Sequence, residues 1–101
     1  MSGFRPPRAA RAAAKRGLEL RRQYKRGGTA VGVARARDLS NGRLLSRKTV
    51  GRMAQFARHL DQPQKKHAKG PSARKIAIDL WGGRAGITWA KNVMRRLRGK
   101  R

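Results

Sequence analysis

Large apolar side chains are few in this chain, and most of them recur three and four residues apart. Behind Ser46 come Val50, Met53, Ala54, Ala57 and Leu60. Behind Ser72 come Ala73, Ile76, Ala77, Leu80 and Trp81, and a third series runs Ile87, Ala90, Val93, Met94 and Leu97. That period marks helices with a single apolar face. Ser46 and Ser72 are of the residue type that caps a helix by accepting a hydrogen bond from a backbone N–H in its first turn. No segment alternates apolar and polar residues as a half-buried strand would. The expected fold is all-α, a small bundle of four to five short helices with basic, flexible termini.

The rest of the chain can be placed around those three stripes. Pro6-Pro7 is a suitable helix start, and Gly27-Gly28 a stop. Between them Ala9, Ala13, Leu20 and Tyr24 share one side, with Gly17 weakening the middle. Thr29 caps a shorter helix, AVGVARARDL, which ends at the Asn41-Gly42 turn signal. Residues 61–71, DQPQKKHAKGP, have no apolar period and read as a loop. Residues 1–5 are expected to form a disordered arm, and the closing RRLRGKR to fray into solvent. The divisions are then a basic arm and helix at 1–28, a helical core at 29–94, and a basic tail at 95–101.

The core so described is thin. Only 38% of the residues are apolar, and many of these are alanine. Against it stand 28 Lys and Arg and only four acids, Glu19, Asp38, Asp61 and Asp79, for a formal net charge of +24. Self-repulsion on that scale opposes compaction until a polyanion or salt screens it. Nucleic acid is the best-matched polyanion, because bound Lys and Arg return its condensed counterions to solution; an anionic membrane surface is the competing reading. No apolar run approaches the length of a membrane span. The alanines of FRPPRAARAAAKR are too interrupted by charge for a secretory signal, though the stretch is Arg-rich and acid-free as a transit peptide would be.

Catalysis is poorly supplied. The acids are scattered, His59 and His67 have no nearby set of further ligands, and cysteine is absent, which removes disulfide and thiolate chemistry. The expectation is a protein that is not an enzyme and takes no metal or cofactor. Asp38 and Asp79 sit beside basic residues and read as local ion-pair partners.

Two motifs bear on nucleic acid. Gly82-Gly83-Arg84 precedes a helix, as a phosphate-cradling loop would, but it lacks a preceding strand and a Walker Gly-Lys-Ser/Thr. The preferred reading is a corner that lets Trp81 and Trp89 share one core, with backbone–phosphate contact as a secondary use. Residues 29–60 could form a helix-turn-helix, with the helix behind Ser46 presenting Arg47, Lys48 and Arg52 to DNA. The connection DLSNGRLLS is long for that motif, and a helix pair with a solvated basic face is the alternative.

The blocks GTAVGVARARDLSNGRLLSRKTVGRMAQFARH and PSARKIAIDLWGGRAGITWAKNVM together span residues 28–94. They resemble a small domain of tailed bacteriophages that occurs by itself or joined to head-morphogenesis proteins. The resemblance implies a phage-encoded protein acting in the cytoplasm of an infected bacterial cell or within the virion, and it carries over no functional residue. The chain departs from that pattern in its short, basic loop at 61–70, and in Arg84, which stands where an acid follows the two glycines. Both departures add positive charge.

The expected partner is therefore nucleic acid, double-stranded DNA first and RNA second, held mainly through phosphates for coating, condensation or packaging. The alternatives are a protein that docks on a host or phage nucleoprotein machine (a CRISPR effector, polymerase or ribosome) and a ribosomal, RNA-binding component. The candidate contact residues are Arg8, Arg11, Lys15 and Arg22 on the first helix, and Arg35, Arg37 and Arg43 around the second. Arg47, Lys48 and Arg52 follow on the third helix, Lys65, Lys66 and Lys69 in the loop, then Arg84, Arg95 and Arg96.

Overall fold

A computed structural model describes residues 3–60 and 70–99, so Lys65, Lys66 and Lys69 lie outside the described residues. The described residues form five α-helices, α1 (Arg8–Tyr24), α2 (Ala30–Ser40), α3 (Arg47–Gln55), α4 (Ala73–Leu80) and α5 (Gly83–Gly99), with a 3-10 turn at Phe56–His59 after α3. The fold is all-α. Three of the starts are capped as their sequences imply. The Thr29 hydroxyl accepts from the Gly32 N–H at 3.2 Å, Ser46 from Thr49 at 3.1 Å, and Ser72 from Lys75 at 3.0 Å. Each such cap contributes about 1 kcal/mol.

The three apolar stripes meet in one core. Val50, Met53, Ile76, Leu80, Ile87, Ala90 and Val93 are buried there, and Trp81 packs among them, 8% exposed. Trp89 is half-buried against the same cluster, so the two tryptophans share a core across the corner. At that corner Gly82 takes φ +103° and Gly83 φ +69°, a region that side chains with a Cβ avoid.

Helix α1 lies across α2, α4 and α5, and its inward face differs from the expected one. Ala9 is exposed, while Ala10, Ala13, Ala14 and Gly17 are buried. The cause is close approach. A Cβ on Gly17 would stand 2.7 Å from the Leu80 backbone nitrogen, and one on Gly86 would stand 2.8 Å from the Ala10 Cβ. Only the small side of α1 fits there, and the larger Leu20 and Tyr24 are left at the periphery, half-buried. Gly17, expected to weaken the helix, is the point where α4 packs on it.

Four other expectations change. The arm at 1–5 is not disordered over its described part: the Phe4 N–H donates to the Leu45 carbonyl at 2.9 Å and the Leu45 N–H to the Phe4 carbonyl at 2.8 Å. Pro6 is fully buried behind this bridge. The helix behind Ser46 stops at Gln55 rather than reaching Leu60, and the tighter turn that follows swings Phe56 onto Trp81. Ala57 and Leu60 still pack at the core edge. Helix α4 buries Ile78 and Asp79 besides Ile76 and Leu80, because α1, α2 and α5 pack around it, while Ala73 of its expected stripe is exposed and Ala77 half-buried. Finally, α5 runs to Gly99 instead of fraying from Arg95, since Met94 and Leu97 carry its apolar stripe onward.

Candidate nucleic-acid interface

Burying Val50 and Met53 turns the opposite side of α3, with Arg47, Lys48, Arg52 and Gln55, outward into solvent. Helix α3 packs chiefly on α5. A Cβ on Gly51 would make ordinary contact with the Met94 methyl, 3.7 Å away. Between the two helices runs an open groove of about 360 Å³. Its floor is Gly51, Ala54 and Met94, and Lys91, Arg95 and Arg98 line the α5 side. These three lie four and then three residues apart, so they stand in a row along one face of the helix. On α3, Lys48 and Arg52 stand one turn apart on the side that carries Gly51 and Gln55.

The charges of this groove are unspent. Among the described residues every acid is already engaged elsewhere. Glu19 accepts from Arg22 (Nε–Oε2 3.0 Å), Asp38 pairs with Arg35 at 3.3 Å and Arg43 at 3.7 Å, and Asp79 pairs with Arg16 and Lys75. The Arg22 hydrogen bond, and after it the Arg22 charge, hold the Glu19 carboxyl below its usual range, and the same contacts raise Arg22. Neither Lys48, Arg52, Lys91, Arg95 nor Arg98 meets an acid among the described residues.

The candidate residues therefore sort by place. Arg95 lines the groove, while Lys48 and Arg52 are exposed on α3 and Arg47 at its start. Arg22, Arg35 and Arg43 are occupied by acids, and Arg84 donates to the Leu60 carbonyl at 3.3 Å. Arg11 is half-buried with its guanidinium over the Asn41-Gly42 turn, where a Gly42 Cβ would be 3.6 Å away. Arg8, Lys15 and Arg37 are exposed on α1 and α2, away from the groove, and Arg96 is exposed on α5 about 100° around the helix from Arg95. Lys91 and Arg98 were missed by the sequence reading. Their spacing from Arg95 was the available signal, hidden by treating residues 95–101 as a tail.

Two motifs fall away as nucleic-acid readers. Helix α2 packs on α1 and α4 while α3 packs on α5, so α2 and α3 do not form the packed pair of a helix-turn-helix. Gly82 and Gly83 are both buried, with a Gly83 Cβ position 2.7 Å from that of Ala13, which closes the start of α5 to a phosphate. They form a corner and nothing more. No helix among the described residues is long and apolar enough to cross a membrane. No family model matches this chain, and comparison with curated proteins and with solved structures likewise yields no match.

Proposed function

We propose that this protein binds nucleic acid through the phosphate backbone without reading base sequence, and that its partner is double-stranded DNA in a phage, for coating, condensation or packaging. The observation that carries the reading is the α3–α5 groove, where Lys91, Arg95 and Arg98 form a row that meets no acid among the described residues, with Lys48 and Arg52 exposed on the neighbouring α3. Phosphate is the anion that such rows attract most strongly, because each Lys or Arg placed on it releases a condensed counterion. The apolar core leaves these side chains no inward partner. The phage context rests on the resemblance of residues 28–94 to the phage domain.

The test is the salt dependence of binding to duplex DNA of arbitrary sequence. The three groove cations together with Lys48 and Arg52 of α3 on phosphates give a log–log slope of about −4 to −5, at nearly 0.9 per contact. Affinity should be indifferent to sequence at fixed length. A slope near zero, or binding no tighter than that of an unstructured peptide of equal charge, would refute the proposal. A duplex RNA of the same sequence separates DNA from RNA as the partner.

A further inference from the structure

A second depression, of about 170 Å³, opens beside the groove where α3 passes into the 3-10 turn. Arg52, Gln55, Phe56, Arg58, His59 and Trp81 line it, and Gln55 lines the groove as well, so the two hollows share a wall. Three rings follow one another there from the core outward. Phe56 lies on Trp81 with centroids 5.5 Å apart and planes 23° apart, and His59 leans on Phe56 at 4.7 Å and 51°. Trp81 closes the inner end, while Phe56 and His59 are only half-buried, which leaves ring surface open at the outer end. The exposed Arg52, Gln55 and Arg58 form a polar rim around it.

We infer that this depression receives one unpaired nucleobase from a strand whose phosphates lie in the α3–α5 groove. The inference rests on the groove reading and adds a second kind of contact to it. A base continues the ring stack, as bases do on aromatic platforms, and any base suffices because each has a π face. The Gln55 amide offers a donor and an acceptor to the base edge. Arg52 and Arg58 flank the entry and meet the neighbouring phosphates. A base paired inside a duplex cannot enter without leaving its helix, so the pocket selects single-stranded stretches, gaps and ends.

The experiment uses the full chain at one fixed salt concentration, with a labelled oligo-dT and a duplex of equal phosphate count. His59→Ala and Phe56→Leu should weaken oligo-dT binding roughly 5- to 100-fold, the range of one lost base–aromatic stack. Duplex affinity should not change. Gln55→Ala, an exposed position that leaves the core untouched, should weaken oligo-dT by less than either ring variant. In a Trp89→Phe background Trp81 is the sole indole, and its emission should be quenched by oligo-dT but not by the duplex. Equal losses on both probes, or no loss on either in variants that melt like the parent, overturn the base pocket while the groove stands. Absence of duplex binding at low salt overturns the groove and the pocket together.

Discussion

Arg16 and Asp79, 63 residues apart in the chain, are joined by a forked ion pair that ties α1 to α4. Arg16 Nη2 donates to Oδ1 at 3.2 Å and Nε to Oδ2 at 3.3 Å. The Asp79 side chain is 3% exposed, and Lys75 donates to the same Oδ2 from within α4 at 2.8 Å. A carboxylate so deeply buried survives only because two cations and three hydrogen bonds answer it. Asp79 was expected to pair locally, and does so through Lys75. Its bond to Arg16 is the long-range one, and it places a charge pair directly beneath the Gly17 seam.

Asp79→Ala should therefore destabilise the fold by about 2–3 kcal/mol in denaturant or thermal unfolding, within the range for charged hydrogen bonds. Arg16 and Lys75 are half in solvent and can rehydrate, which keeps the loss below that of a fully buried pair. Arg16→Ala should cost less than Asp79→Ala, because Lys75 still holds the carboxylate. An Asp79→Ala variant with unchanged stability would show that the pair contributes nothing net.

Gly17→Ala sets helix propensity against packing, with opposite signs. In an open helix the change would stabilise by about 1 kcal/mol. Here the new methyl meets the Leu80 backbone nitrogen and the Asp79 carbonyl carbon inside 3.0 Å. Backbone cannot swing aside as a side-chain tip can, so the variant should lose roughly 1–3 kcal/mol. A rise in melting temperature would mean that α1 and α4 separate easily.

Trp81→Ala removes the residue on which Phe56 stacks and beside which Gly32 packs, a Gly32 Cβ position being 3.2 Å from its indole nitrogen. The cost should be about 3–5 kcal/mol, as for other large aromatic truncations. In a domain of this size that is enough to unfold a large fraction at ambient temperature. The half-buried Trp89 should tolerate Trp89→Phe with a small shift in melting. Loss of structure in both, or in neither, would contradict the burial described.

Replacing Lys91, Arg95 and Arg98 together by alanine should make the salt slope on duplex DNA shallower by about 2–3 units, at nearly 0.9 per contact. Helical content should persist, since alanine favours helix. The matched control is the triple replacement of Arg22, Arg35 and Arg43, whose charges already face Glu19 and Asp38. It should change the slope far less. Equal effects from the two triple variants would mean that total charge matters and the groove does not.

Acid titration supplies a further check on Glu19. Its carboxyl is held below the usual range by the Arg22 hydrogen bond and then by the Arg22 charge. A depressed folded value contributes stability above the unfolded pKa, and that contribution disappears as pH falls through the folded one. Glu19 is exposed, so solvent screens most of the effect. Side-chain NMR should place the Glu19 midpoint below that of free glutamate, and Arg22→Ala should restore it. A normal midpoint in the parent would show the pair to be transient in solution.

What the amino-acid sequence settled by itself was the set of local features. Thr29, Ser46 and Ser72 cap helices because each acceptor and its N–H lie within one turn, and the stripes at 50/53, 76/80 and 87/90/93 face inward because helical spacing puts them on one side. The Gly82-Gly83 corner belongs with these, since two positive φ angles are a property of those two residues. Tertiary structure decided the rest. Whether α1 buries Ala9 or Ala10 depends on how near α4 comes at Gly17, and no period in an alanine-rich helix records that distance. The Phe4–Leu45 bridge, the Arg16–Asp79 pair and the groove that sets Gly51 and Gln55 beside Lys91, Arg95 and Arg98 all join residues far apart in the chain. With charge spread through every segment, composition pointed to a polyanion. Which cations would stand free on one surface was decided by where Glu19, Asp38, Asp79 and the neighbouring helices came to rest.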